Sequence, residues 1–394
     1  MADGRGSHGE PLFFIIAGEP SGDRLGGRLI VALRDLFGSR ARFRGVGGDT
    51  MLAEKLDPLF PMRDIAFIGI TEILPHLPML LRRLREIVAA IAKERPVAVI
   101  TIDTPSLSYQ IAKRLSGLGI PVIHYVAPQV WAWKPRRAKQ LARVNDLLLT
   151  LLPFEPPIFE KEGLPSVAVG HSAIESGAES GDGLAFREQH EIPPLAPVIA
   201  MLPGSRHAET SRLLPVYGEA LALLKARYPS LHAVVPTVSS VEDEVREAVR
   251  GWTVPTIVVT DRQEMWDALA ASEIATVASG TATVEVALAG VPMVVAYRVN
   301  PVTAWLLRRM LSVRHVALVN VILGREAVPE LLQENCDPKK LADALIRLLQ
   351  NPTARQTQKR EVKEALLQLG QGGELPSRRA ASAILEFLEN RTPA

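Results

Sequence analysis

The chain has 394 residues, 47% of them hydrophobic, which is enough to bury a sizeable core and suggests about two or three domains. Lysine plus arginine (45) nearly balances aspartate plus glutamate (43), so the formal charge of +2 gives no general argument for a nucleic-acid partner. Cys336 is the only cysteine, which excludes an intramolecular disulfide and a thiolate metal cluster and fits a reducing compartment. The start is polar, its first apolar run (12–17) is too short for a signal-peptide core, and no run of about 18 apolar residues occurs. A cytoplasmic protein is expected, with any membrane contact peripheral.

Short β-rich runs at residues 12–16, 42–46, 97–102, 122–126, 147–151 and 167–169 alternate with helical patterns such as 23–37 and 72–94. A polar, Gly/Ser-rich segment (171–183) then separates a second series: strands at 198–202, 232–235, 256–259, 274–277 and 293–296, with helices such as 208–227 and 281–289. From Pro338 onward the pattern is helical and rich in charge. This alternation predicts an α/β protein of two doubly wound, Rossmann-like domains, with a cleft where the carboxyl ends of their strands meet. The expected divisions are 1–183, 184–350, and C-terminal helices over 351–394 that pack back on the first domain or exchange in a dimer.

Five stretches carry candidate chemistry. Ala17-Gly18-Glu19-Pro20-Ser21-Gly22-Asp23 follows the first strand and has neither Walker A nor GxGxxG spacing. It reads as a fixed loop with close backbone approach, or as a turn with Asp23 as a helix cap. Asp103, in Ile102-Asp103-Thr104-Pro105, ends an apolar strand, where low dielectric raises a carboxyl pKa toward general-base use; a structural acid is the alternative. In His124 to Trp133, Trp131 and Trp133 stand beside Lys134, Arg136, Arg137 and Lys139, which suits either a phosphorylated amphiphile or a core pair with a solvated basic helix.

The other two lie in the second half. In Leu202-Pro203-Gly204-Ser205-Arg206, the glycine admits a ligand, Ser205 can cap a helix and Arg206 can pair with a diphosphate. In Ala278 to Glu285, Ser279, Gly280 and Thr281 stand at a strand-to-helix turn whose amides favour phosphate. Glu285, about one turn after Thr281, can accept a ribose diol, although a capped helix with a solvated glutamate fits the same residues. The chain contains no Asp-x-Asp, His-Glu-x-x-His or Gly-x-Ser-x-Gly.

Residues 65–81 are unusually apolar, and Arg82, Arg83 and Arg85 follow. Ile65, Phe67, Ile68, Leu80, Leu81, Arg82 and Arg83 are therefore candidates for an anionic membrane surface or an acyl-chain groove, with a buried helix as the plain alternative. Trp305 to Arg309 has a similar character.

The ordered set AGEPSGD, GVGGDTM, IDTP, HYVAPQVWAW, LPFE, VGH, LPGSR, ASGTATVE and PMVVAYRVNPVTAWLLRR resembles the lipid-A-disaccharide synthases, and the agreement runs from about Leu12 to the C-terminal helices. The resemblance implies a GT-B glycosyltransferase of family 19, inverting, metal-independent and without cofactor. Such an enzyme joins UDP-2,3-diacylglucosamine to 2,3-diacylglucosamine 1-phosphate at the inner membrane, as a homodimer. It further implies Asp103 as base, with Glu19 also catalytic. Arg206, Gly280, Thr281, Glu285, Asn320 and Gln333 would bind the UDP-sugar, and Ser21 would face the cleft; by residue type Ser205 and Ser279 join the first set, and Trp131, Trp133, Arg136 and Arg137 suit the lipid acceptor. One departure stands out: Ser106-Leu107-Ser108 replaces the family's usual Asp-Phe-Asn, so a second carboxylate beside Asp103 is missing. Other UDP-sugar enzymes of the same fold (a muramyl-type transferase or a UDP-GlcNAc 2-epimerase) and a catalytically silent lipid- or nucleotide-binding relative are the alternatives.

Overall fold

The first strand, β1 (Leu12–Ala17), is an unbroken apolar run, and that run dictates its place. A strand that alternates apolar and polar residues covers one face, whereas a continuous apolar strand must be covered on both. Phe13 and Ile15 pack with Leu29, Ile30 and Leu33 of the helix Pro20–Phe37. Phe14 and Ile16 face the other way, onto Ile87 and Ile91 of the helix Ile70–Glu94 and Ile111 of the helix Pro105–Leu115. The structure, a computed structural model, describes residues 10–66, 70–132, 136–300, 303–305 and 314–391, the side chains of 70–75 excepted.

Two compact units result: Met1–Ser172 with Gly373–Ala394, and Ala173–Gly372. Unit 1 contains β1, β2 (Arg42–Val46), β3 (Asp57–Pro58), β4 (Ala98–Ile102), β5 (Val122–Tyr125), β6 (Leu147–Thr150) and β7 (Ser166–Ala168), in the order β3-β2-β1-β4-β5-β6-β7. Unit 2 contains β8 (Val198–Leu202), β9 (His232–Pro236), β10 (Thr256–Val259), β11 (Ile274–Val277), β12 (Met293–Tyr297) and β13 (Glu330–Leu332), in the order β10-β9-β8-β11-β12-β13. All described strand pairs are parallel. Both sheets are thus doubly wound, and the strand order reverses between β1 and β4 in one and between β8 and β11 in the other. The short edge strands β3 and β13 are additions to the expected set.

The C-terminal helices separate. Pro352–Gln368 belongs to unit 2, where both ends of the Gln358 amide bond the Met293 backbone of β12 (2.6 and 3.0 Å). Pro376–Asn390 returns to unit 1 and buries Ala380, Ala381 and Ile384 in the cluster of the helix Pro20–Phe37.

Asp23 is a cap, but of a neighbouring helix. Its buried carboxylate accepts the N–H groups of Gly48 (2.7 Å), Thr50 (2.9 Å) and Met51 (3.1 Å) at the start of the helix Asp49–Ala53. Gly26 and Gly27 let the two helices approach, since a Cβ at Gly27 would lie 2.7 Å from Thr50 Cγ2.

Candidate active site

In doubly wound sheets, ligands bind beyond the carboxyl ends of the strands, where the strand order reverses. Four of the motif loops stand at such points.

In unit 1 the loop after β1 and the loop after β4 lie side by side, because Ala17 pairs with Ile102 in register. Glu19 is the half-buried N-cap residue of the helix Pro20–Phe37, and Ser21 is exposed in its first turn. Asp103 and Thr104 both have left-handed backbones (φ 53° and 47°), a strained pair for residues other than glycine. Three hydrogen bonds hold the turn. The Asp103 N–H donates to the Tyr125 carbonyl (2.9 Å), the Thr104 N–H to Asp103 Oδ1 (2.8 Å), and the Ser108 hydroxyl to the Asp103 carbonyl (2.8 Å). Asp103 Oδ2 takes no hydrogen bond among the described residues. Burial raises the Asp103 pKa, against the smaller lowering effect of the Thr104 N–H. The result is a fixed carboxylate with one open oxygen and an increased proton affinity. Ser106 is exposed, whereas Ser108 serves the turn itself.

The loop after β5 begins at Val126, whose φ of 81° is a further outlier for a β-branched residue. It leads to Trp131, which is half-buried against Phe154 (ring centroids 5.3 Å apart) and donates its indole N–H to Glu155 (3.1 Å). Arg136 is exposed and Arg137 half-buried on the helix Arg136–Ala142, and Trp133 lies outside the described residues.

In unit 2 the loops after β8 and β11 are joined by the Ala278 N–H bonding the Leu202 carbonyl (2.9 Å). Gly204 has a φ of 103° and lies against Glu209, while Ser205 and Arg206 are exposed. The Glu209 carboxylate, itself buried, receives the Ser205 N–H (3.1 Å) and an Arg206 N–H (3.3 Å), so it shapes the loop and aims Arg206. Gly280 has a φ of 147° with open space around it, and it precedes Thr281, exposed at the start of the helix Thr281–Leu288. Ser279 donates to the Val316 carbonyl (2.8 Å). Glu285 is half-buried and pairs with Arg262 (3.3 Å), which lies over the Trp266 ring (5.1 Å). Gln333, left-handed at φ 52°, follows β13 and accepts the Val299 N–H (3.3 Å).

Asn320 faces the interior of unit 2. It is fully buried, and its amide is saturated: Oδ1 accepts from Ala327 (2.7 Å) and Val328 (2.9 Å), and Nδ2 donates to the Val328 carbonyl (2.8 Å) and Glu330 Oε1 (2.7 Å). Its capacity is spent inside the protein, so it is a framework residue. Glu330 in turn accepts the N–H groups of Val316 and Ala317, the segment that receives Ser279.

The described residues of the candidate membrane surface divide between core and solvent. Ile65 is 4% exposed and belongs to the core beneath the sheet, and Leu80 packs partly against that core. Arg83 is committed to Asp64 and Glu86 (2.7 Å to Glu86) and lies over the Phe60 ring. Leu77, Leu81, Arg82 and Arg85 are exposed, and Phe67 and Ile68 lie outside the described residues. Among the described residues no helix is long and apolar enough to cross a membrane.

Sequence reasoning gave no role to Glu155, Glu209, Arg262 or Glu330. Only Glu155 carried a signal, as the last residue of LPFE.

The chain is 51% identical over 385 residues to the lipid-A-disaccharide synthase of Rhodospirillum centenum, covering 97% of this chain and 96% of that one. It is 49% identical to that of Paramagnetospirillum magneticum, with 96% and 97% covered. Solved structures similar in fold include UDP-GlcNAc 2-epimerase from Neisseria meningitidis bound to UDP-GlcNAc (TM-score 0.61, 12% identity, 96% and 99% covered). Another is MurG from Acinetobacter baumannii (TM-score 0.56, 17% identity, 95% and 99% covered). These two likenesses concern the fold, two Rossmann-like domains of the GT-B kind. The sequence model of lipid-A-disaccharide synthetase matches residues 13–385, and with relatives this similar along nearly its whole length the chain belongs to the lipid-A-disaccharide synthase family.

Proposed function

We propose that the protein is the inverting glycosyltransferase of lipid A biosynthesis that joins UDP-2,3-diacylglucosamine to 2,3-diacylglucosamine 1-phosphate, releasing UDP and the β-1,6-linked disaccharide 1-phosphate. The observation that supports it is the position of the motif loops: a poised carboxylate at the reversal point of one sheet, and exposed phosphate-type loops at that of the other.

In this reading Asp103 Oδ2 takes the proton of the acceptor 6-hydroxyl as its oxygen attacks the anomeric carbon. The bond from that carbon to the UDP oxygen breaks, and UDP leaves with the electron pair. Arg206 and the amides of Gly280 and Thr281 meet the charge that grows on the diphosphate. Glu285, steadied by Arg262, takes the ribose hydroxyls, and Gln333 closes the same site. Glu19 stands beside the base at the neighbouring strand end, where its carboxylate supports the developing positive charge on the sugar. Ser21, Trp131, Arg136 and Arg137 receive the acceptor. Exposed Leu77, Leu81, Arg82 and Arg85 suit an anionic bilayer from which both acylated substrates come, so the enzyme is peripheral at the membrane, and it acts as a homodimer. Epimerisation or muramyl-type transfer has no support here beyond the shared fold.

Purified protein, both acylated substrates and EDTA should yield disaccharide and UDP in equal amounts by mass spectrometry. UDP binding by calorimetry without any disaccharide would overturn the transferase reading and leave a binding protein.

A further inference from the structure

Glu155 is 2% exposed, yet nothing in the proposed chemistry uses its carboxyl group. Burying a carboxyl without a cation is costly unless hydrogen bonds replace water, so its partners indicate its task. Oε1 accepts the Trp131 indole N–H (3.1 Å) and Oε2 the Leu152 N–H (3.0 Å). The charged residues of the flanking helices are Arg136, Arg137, Lys139 and Glu160, and no cation pairs with Glu155 among the described residues.

Trp131 lies in the loop that leaves β5. That loop starts beside Asp103, since the Asp103 N–H bonds the Tyr125 carbonyl, and Val126 turns it through a left-handed backbone. A strained loop persists only where its surroundings over-determine it. Its start is fixed by the sheet, where the Val126 N–H bonds the Leu149 carbonyl (3.0 Å), and Trp131, five residues on, is held by Glu155. We infer that Glu155 is a positioning residue for acceptor recognition: its carboxylate locks Trp131, and through it the aromatic loop flanking Asp103, in the conformation that receives the phosphorylated, acylated sugar.

The inference rests on the proposed role of this loop in acceptor binding. It carries a consequence that a merely structural residue would not. Burial pushes the Glu155 pKa up to about 7, against the smaller lowering effect of the hydrogen bonds from Leu152 and Trp131. The indole N–H is held most strongly by the ionised form. Acceptor affinity therefore falls as the pH drops through 7.

Glu155→Gln tests this. Whichever way its amide turns, one N–H of the variant faces another N–H, of Leu152 or of Trp131, so one bond is lost. The expected result is a rise of about tenfold in the acceptor KM, an unchanged donor KM, and loss of the inflection near pH 7. The acceptor phosphate titrates near pH 6 and leaves its own inflection in both proteins. Trp131→Phe keeps an aromatic ring and removes the indole N–H; it should raise the acceptor KM similarly, and the double variant should be no worse than either single one. Acceptor titrations followed by tryptophan fluorescence in the absence of donor give the same comparison without turnover, so loss of the transferase reading and loss of this one are separable. Additive single effects, an unchanged acceptor affinity in folded Glu155→Gln, or absence of acceptor binding by the wild type would each overturn the inference.

Discussion

Thr104 occupies the space that a side chain at Gly18 would need: a Cβ there would stand 2.8 Å from Thr104 Oγ1 and 3.2 Å from its Cγ2. The contact couples the loop after β1 to the turn that carries Asp103. Rotating the threonine does not relieve it, because both branches are close, so Gly18→Ala must displace the turn. The expected effect is a fall in kcat of roughly 10- to 100-fold with UDP affinity unchanged, since a small misplacement of a reacting group is enough for such a loss. Steady-state kinetics together with UDP calorimetry measures both. A kcat within twofold of wild type would show that the contact does not hold the base.

Asp103→Asn keeps the shape of the turn and removes the base. The rate should drop by at least about 10²-fold while UDP binds as before. Because burial raises the Asp103 pKa, the wild-type rate should fall on the acid side at a higher pH than an ordinary aspartate would give. That limb should be absent from the residual activity of the variant. A pH profile identical in both proteins would assign the limb to another group, with Glu19 the next to substitute.

Asn320→Ala separates a framework residue from a ligand. The substitution strands the Ala327 and Val328 N–H groups and removes a donor from Glu330, at an expected cost of about 2–4 kcal/mol in unit 2. Urea unfolding should show that loss, with UDP affinity at low temperature within about threefold of wild type. Unchanged stability with a large loss of affinity would return Asn320 to the nucleotide.

The strands were legible because their apolar runs are local, and so were the motif loops, because glycines and charged residues interrupt those runs at strand ends. Pairings across the chain were not. Asp23 reads as a cap, but only folding brings it to Gly48, Thr50 and Met51. Asn320 carries the residue type of a ligand, yet its partners at 327, 328 and 330 consume it. Ile65 and Arg83 belong to one apolar and basic stretch in the sequence; the fold buries the first and pairs the second with Asp64 and Glu86. The edge strands β3 and β13, of two and three residues, are too short to show a period.

Glu155 should make the protein less stable as pH rises, opposite to a salt-bridged carboxylate. Its pKa goes from 4.5 to about 7 on folding, so the native state binds the proton more tightly than the unfolded chain. The stabilising effect of that proton is complete below about pH 4.5 and is lost as pH rises through 7; the ionised form then costs the native state on the order of 3 kcal/mol. Glu155→Gln has no such charge. Between pH 5 and pH 8 its stability relative to wild type should therefore rise by about 2–3 kcal/mol, even though its acceptor binding is impaired. Urea unfolding at the two pH values gives the difference directly. Parallel curves for the two proteins would mean that the carboxyl is ionised throughout, and the pH dependence assigned to acceptor binding would have to come from the acceptor phosphate alone.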